Sequence, residues 1–448
     1  GRGAVTPNLE RLAEEGLIYT NAYSNAPVSS AARTALITGC YAPRIAGSLH
    51  RKMQEMPMPE GLSMFPAYLR RNGYYTCNAS KTDYNVVFDE EAWDRKKGAL
   101  TTWRNRPDKK QPFFYQRNNT VSHESCLHFG PQALENKKTV NNPADVYIHP
   151  NLPDTKLMRY TYATFYDRIQ KADKELGQLV DMLREDGVLD NTFIFFFGDN
   201  GGSLPGTKGY TDDIGIHVPL VVYVPEKWRD KIDLPVGTRQ DGLVSFMDFA
   251  PTVLNLAGID VPEQMDGTPF LGKGAAIGQE SVSGYGDRFD ELYAFNRVIR
   301  KGRYRYVRNY QPYHTQSLYA LYRYKQLAFQ EWKQLYKENK LNADQLSFFE
   351  PFGTEELYDL EKDPMELNNL AENPAYGKIL AGLRKELGTY LVEKADLGFF
   401  PETLILEEAM DNPDAYGNRN KKRIETFREV ADLQIEDFYE IKSRLEKA

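Results

Sequence analysis

The chain has 448 residues, 41% hydrophobic and 27% charged, a balance that supports an extensive core in one large domain with a smaller companion. A net charge of −7 excludes a basic nucleic-acid-binding surface, so any anionic ligand must be held by local cations. Cys40, Cys77 and Cys126 lack metal-ligand spacing and are odd in number, which implies no disulfide framework, and no apolar run reaches the length of a membrane span.

The chain opens on Gly1-Arg2-Gly3 with no initiator methionine and no visible signal peptide, and is read as a processed product or a fragment whose targeting information is missing. Thr6-Pro7-Asn8, with Leu9, Leu12 and Ala13 ahead of Gly16, predicts a helix with a capping hydroxyl and a glycine stop. Leu17 to Thr20 follows as a strand. Ser29-Ser30-Ala31-Ala32-Arg33 then leads an apolar helical run ending at Thr38-Gly39, which places Ser29 at a helix N-terminus with Arg33 one turn along. Small residues there let an anion approach the backbone, although the same pattern also serves as an ordinary helix start.

Met64 to Asn72 reads as a helix, with strands at Tyr74 to Ala79 and Phe113 to Val121. Tyr160 to Glu185 keeps three- and four-residue apolar spacing and predicts a long helix. Thr192 to Phe197 and Val218 to Val224 are apolar strands, and Phe249 to Ala257 a helix. All-apolar strands must be covered on both faces, so the fold class is α/β, a largely parallel central sheet sandwiched by helices. A smaller antiparallel sheet-plus-helix subdomain is expected over 301–448, after a catalytic domain at 1–300. Arg303 to Asn309 reads as a half-exposed strand with Glu355 to Leu360 its partner, Ser317 to Lys340 and Ala375 to Lys394 as helices. The tail after Pro401 carries Phe427, Val430, Leu433, Ile435, Phe438 and Ile441 at helical spacing and is read as a docking helix.

Ligands in such sheets sit at the carboxyl ends of strands, and four strand ends carry chemistry. Ser29 is a nucleophile-type residue beside Arg33. Lys81 ends the strand at 74–79. His123, after the strand at 113–121, is an acid/base candidate, with a structural histidine as the alternative. Asp199-Asn200-Gly201 offers a carboxylate and an amide oxygen to a hard cation, or forms a routine turn, and Lys208 follows on a glycine-flanked loop. Asp287, Arg288 and Asp290 are read as sugar contacts in a polar loop, or as a salt-bridged surface loop, and His217 as structural. Asn78-Ala79-Ser80 and Asn118-Asn119-Thr120 match the glycosylation pattern but adjoin site residues and are read as chance matches.

These motifs resemble the formylglycine-dependent sulfatases of the alkaline-phosphatase-like superfamily, whose signature (Cys or Ser, any residue, Pro or Ala, any residue, Arg) is matched by Ser29 to Arg33. Thr6-Pro7-Asn8-Leu9, Gly73-Tyr74, Gly198-Asp199-Asn200-Gly201, Val218-Pro219-Leu220, Asp248 to Thr252 and Glu356-Leu357-Tyr358-Asp359 with Asp363-Pro364 fall in family order over about residues 4 to 395. Leu204 to Tyr210 and Asp287 to Glu291 look like the branch containing N-sulfoglucosamine sulfohydrolase. The resemblance implies hydrolysis of a sulfate ester or sulfamate on a glycosaminoglycan-type saccharide, with Ser29 oxidised to formylglycine. It also implies Ca2+ held partly by Asp199 and Asn200, sulfate neutralised by Arg33, Lys81 and Lys208, and His123 assisting the leaving group. Serine at position 29 implies an anaerobic sulfatase-maturating enzyme and a bacterial host, with a periplasmic or secreted location.

Two departures from the family pattern stand out. Relatives often carry histidine where this chain has Asp83, and they begin with a strand ending in paired acidic metal ligands upstream of Thr6. The sequence starts after that strand, and the expectation is weak calcium binding and little turnover from 1–448 alone. The alternative functions are a phosphodiesterase or phosphonate hydrolase of the same superfamily, and a non-catalytic protein that binds sulfated glycans.

Overall fold

Helix α1 (Pro7–Glu14) leads into strand β1 (Gly16–Tyr23), and a short loop returns to helix α2 (Ser29–Thr38) in the computed structural model, which describes residues 3–96, 101–276 and 278–445. Helix α3 (Phe65–Arg71) precedes β2 (Tyr75–Asn78), β3 (Arg95–Lys96) and β4 (Phe113–Gln116). The long helix α4 (Lys156–Glu185) is followed by β5 (Ile194–Phe197), β6 (His217–Tyr223), β7 (Thr238–Ser245) and α5 (Phe249–Leu256). Strands β8 (Ser281–Phe289), β9 (Leu292–Lys301) and β10 (Tyr304–Asn309), helix α6 (Leu327–Lys337) and β11 (Glu355–Asp359) come next. Helices α7 (Gly377–Glu393), α8 (Glu402–Glu408), α9 (Pro413–Arg419) and α10 (Lys421–Leu445) close the chain.

The α/β reading holds, with a difference in the sheet. Instead of one largely parallel sheet, the described residues form a mixed sheet ordered β5-β6-β1-β7 and a separate parallel sheet ordered β3-β2-β4. Strand β6 runs antiparallel to both β1 and β5, whereas β7 is parallel to β1. The connection over 198–216 contains the single α-helical turn Asp213–Ile216 and returns the chain alongside β5 in the opposite direction. The apolar strands are covered on both faces as expected. From β6, Val218, Leu220 and Val222 enter the core under α2 and α5, while Val221 and Tyr223 alternate to the opposite face against α1 and α4. Phe195 and Phe197 from β5 join the first core, Ile194 and Phe196 the second.

Helix α1 departs from its expected cap. The Thr6 side chain makes no capping bond; the Asp173 carboxylate of α4 accepts from the backbone N–H of Asn8 at 3.2 Å and of Leu9 at 2.8 Å. A carboxylate there satisfies free amides and complements the helix dipole at once, so it displaces the local hydroxyl.

The second layer is a four-stranded antiparallel sheet ordered β11-β10-β9-β8, with Leu380, Leu383, Leu387 and Leu391 of α7 packed on Ile299, Tyr306 and Leu357. It begins at Ser281, ahead of the expected boundary at 300. Strand β10 pairs with β11 as predicted, but it is buried rather than half-exposed. Its arginines are internal: Arg305 pairs with Glu366, and Arg308 with Asp432 of α10 at 3.0 Å. Of the helix expected over 317–340, only α6 forms; Ser317 to Gln326 are irregular apart from the 3-10 turn Arg323–Lys325. The tail docks on its own chain through buried Ile424 and Ile435, whereas the side chains of Phe438 and Ile441 lie outside the described residues.

Candidate active site

Ser29 is the first residue of α2, which starts because Val28 is still extended while Ala32 already donates to the Val28 carbonyl at 3.1 Å. The helix stops at Gly39, whose φ of 69° is the left-handed cap that glycine adopts without strain. Its residues are small on the buried side, so the helix seats Ser29 beneath the sheet end with only 6% of its surface exposed. Asp199, which follows β5, lies close enough to Ser29 for its hydroxyl to favour the ionised carboxylate.

Arg33 bridges three segments. Its Nε donates to Asp199 Oδ2 at 2.7 Å, and its Nη1 to Asn118 Oδ1 at 2.6 Å. Asn118, just past β4, also donates to the Lys81 carbonyl at 2.9 Å and to Asn78 Oδ1 at 3.1 Å. The ends of β2, β4 and β5 are thus laced to the first turn of α2. Burial pushes the Asp199 carboxyl up, but the charges of Arg33 and Lys81 and the hydrogen bonds from Arg33 and Ser29 outweigh it and hold it at about 2. Lys81 Nζ lies 3.0 Å from Asp83 Oδ2, so the residue that departs from the family pattern anchors the lysine.

The other half of the site comes from residues 120 to 128 and 203 to 209. His123 is half-buried, and its Nδ1 meets Ser125 Oγ at 3.2 Å. Burial, then the charges of Lys208 and Lys81, lower its pKa below 6.5, against the opposing pull of Glu124 and Asp199. Lys208 Nζ lies 3.2 Å from the buried Glu124, which also faces Arg323 at 3.6 Å. Gly209 has φ of 92°, donates to the Pro27 carbonyl at 2.9 Å, and lies so close to Arg323 that a Cβ would meet the guanidinium at 2.4 Å. The Lys208 loop is thereby pinned beside the Ser29 loop. Ser29, Arg33, Lys81, His123, Asp199 and Lys208 therefore share one site.

The three proposed sugar contacts separate. Asp287 and Arg288 lie on β8, not in a loop. Asp287 is 4% exposed and engaged by Arg297 at 3.0 Å, which corrects its reading as an open contact: it is an internal ion-pair partner. Arg288 reaches Glu402 at 2.5 Å and the Arg51 carbonyl at 2.9 Å. Asp290, at the tip of the β8–β9 hairpin, pairs with Arg51 at 3.2 Å and approaches His50 Nε2 at 3.5 Å. His50 Nδ1 in turn meets Ser30 Oγ at 2.6 Å. His217 bonds the Thr20 carbonyl at 2.7 Å and Asp213 at 3.1 Å beneath the sheet, a structural position. Asn78 is fully buried and Asn118 is committed to Arg33, which fits the reading of their glycosylation patterns as chance.

Asn118, Glu124 and His50 were not anticipated. Each is a single polar residue outside the long elements, where spacing carries no signal; Asn118 fell inside the strand expected over 113–121, which ends at Gln116. Asp199 and Asn200 supply oxygen donors that suit a hard cation in kind, Asp199 Oδ1 accepting from Asn200 Nδ2 at 3.0 Å. Among the described residues, no group of three or more His, Cys, Asp or Glu side chains is arranged to hold a metal ion, so these two would be part of a ligand set. Ser29, small and beside the ionised Asp199, leaves room for an aldehyde, which needs no more volume than the alcohol.

Comparison with known proteins gives a consistent picture. The family model described as Sulfatase matches residues 1–259, and the model described as N-sulphoglucosamine sulphohydrolase, C-terminal, matches 208–345. An ulvan-active sulfatase of Formosa agariphila is 34% identical, covering 90% of this chain and 74% of the relative. N-sulphoglucosamine sulphohydrolase of Homo sapiens is 23% identical, covering 90% and 89%. The fold is shared with a solved structure in complex with its substrate D-glucosamine-2-N,6-O-disulfate, at a TM-score of 0.59 and 16% identity over 87% of this chain and 93% of the other.

Proposed function

From a chain that belongs to the sulfatase family, we propose hydrolysis of a sulfate ester or sulfamate on a sulfated glycan, with Ser29 converted to formylglycine as the nucleophile. The observation that carries this reading is Ser29 at the first turn of α2, whose Arg33 clamps the ionised Asp199 at 2.7 Å and Asn118 at 2.6 Å. Formylglycine in its hydrated form would carry two hydroxyls, one to attack sulfur and displace the sugar oxygen or nitrogen, the other to lose its proton and re-form the aldehyde as the C–O bond to sulfate breaks. Calcium held by Asp199 and Asn200 would add positive charge at the sulfate oxygens.

The chain's own residues do the rest. Arg33, fixed at two of its nitrogens, presents its remaining N–H groups in a defined fork, and Lys81 and Lys208 bring cationic ends to the same site. Each lysine is oriented by a carboxylate, Asp83 or Glu124. This matters because a preoriented charge needs no reorganisation when the sulfate gains charge in the transition state. His123 is the group that gives a proton to the departing oxygen or nitrogen; a bound sulfate offsets the lysine charges that lower its pKa. The ulvan-active relative and the N-sulphoglucosamine enzyme support a sulfated polysaccharide or its oligosaccharides as the substrate class. Such polymers are met outside the cytoplasm, so we place the protein in the periplasm or beyond the cell. Among the described residues no helix is long and apolar enough to cross a membrane.

The test is co-production with a maturating enzyme of the anaerobic type, followed by assays on aryl sulfate, an aryl phosphate ester and a panel of defined sulfated saccharides. Sulfate release from the saccharides, lost in Ser29→Ala, is the expected result. Faster turnover of the phosphate ester would favour the phosphodiesterase alternative, and saccharide binding without any turnover the non-catalytic one.

A further inference from the structure

We propose that a strip of exposed aromatic and charged side chains leading away from His123 is a subsite for sugar rings beyond the one that carries the scissile sulfate, so that the preferred substrate is an anionic oligosaccharide rather than a monosaccharide. This rests on the sulfatase reading above. The strip starts at Tyr322, whose ring stands edge-on to His128 at 4.6 Å and to His123 at 6.3 Å. Tyr322 also lies within reach of the charges of Arg51 and Asp290. The Arg51 side chain is 72% exposed and is tethered to Asp290 at 3.2 Å. Through His50 and Ser30, the same Asp290 is tied to the residue next to Ser29.

Beyond the hairpin tip the strip continues. Tyr293 sits opposite Arg288 in the β8–β9 pairing and is 43% exposed, and Tyr313, 67% exposed, lies within its electrostatic reach with its ring 4.5 Å from His314. A single exposed tyrosine is ordinary. Three from two segments, Tyr322 against the candidate acid and Tyr293 and Tyr313 on either side of His314 at 6.5 and 4.5 Å, form a surface of another kind. Tyrosine offers a flat apolar face with a polar edge, which matches a sugar ring, whose C–H face is apolar and whose rim carries hydroxyls. Arg51 adds a planar fork that suits a uronate or a further sulfate. Arg51 and Asp290 both hold left-handed backbone, with φ of 61° and 54°, as does Asp83 beside Lys81 at 59°.

The experiment uses the Ser29→Ala protein, which binds without turning over, titrated calorimetrically with a sulfated ulvan tetrasaccharide and with the sulfated disaccharide of the same polymer. The tetrasaccharide should bind more tightly, and adding Arg51→Ala and Tyr293→Ala should weaken it about tenfold while changing disaccharide binding less than about twofold. No preference for the longer chain, or equal weakening of both, overturns the subsite. Because the readout needs no sulfate release, it can fail while the sulfatase reading stands, and that reading can fail in its own assay while the subsite stands.

Discussion

Arg33 is the residue on which the site turns, because one guanidinium satisfies an acid after β5 and an amide after β4 simultaneously. Lysine would keep the charge but lose the fork, so Arg33→Lys should lower kcat/KM about a hundredfold with folding unchanged, as read from steady-state kinetics and a thermal melt. An unchanged kcat/KM would mean that the fork is not used. His217 makes a prediction of a different sort. Burial alone would lower its pKa, but the hydrogen bond and charge of Asp213 and the Thr20 carbonyl raise it above the ordinary 6.5. The folded protein therefore holds a proton that the unfolded chain releases near that value. The resulting stability is fully present below pH 6.5 and is lost as pH rises through the raised value. Denaturant midpoints at about pH 5.5 and about pH 8.5 should differ by less in His217→Gln than in the parent. At this scale, Ser29, Arg33, Lys81, His123, Asp199 and Lys208 were legible because each follows a strand or opens a helix. Asn118, Glu124 and His50 were not, since a lone amide, acid or imidazole in a polar loop looks the same whether or not it reaches a site.

At the scale of elements, the apolar strands β5 and β6 and the long α4 announced themselves by composition and period. Strands β8 and β9 did not. Ser-Val-Ser-Gly-Tyr-Gly-Asp-Arg-Phe has glycines and charges where a buried strand usually has neither, and its charges are affordable only because the fold brings partners to them. Arg297 of β9 shows how. It is fully buried between Asp287 of β8 at 3.0 Å and Asp396, past the end of α7, at 2.6 Å, and Asp396 also accepts from the Tyr41 hydroxyl at 2.8 Å. Replacing the arginine leaves two carboxylates buried without a cation, so Arg297→Met should destabilise by about 3 to 5 kcal/mol in chemical denaturation. A loss below about 1 kcal/mol would show that those carboxyls are easily protonated or rehydrated, and that the arginine is not what joins the elements.

For the whole molecule, the α/β core and the antiparallel second layer follow from the patterning, while of the tail's apolar residues Ile435 is buried but Phe427, Val430 and Leu433 are exposed, and the antiparallel β6 is set by how the β5–β6 connection closes in space. That connection carries Asp199, Asn200 and Lys208, so the irregularity in topology and the functional residues occupy the same stretch of chain. In the function proposed above, this convergence of segments makes residue 29 the reacting centre for sulfate. The direct measurement grades a set of preparations by the fraction of Ser29 that has lost two hydrogens, read from the mass of its tryptic peptide, and records the initial rate of sulfate release from one sulfated saccharide for each. The rate should rise in proportion to the converted fraction and vanish when that fraction is zero; sulfate released at the same rate by unconverted protein or by Ser29→Ala would contradict the claim.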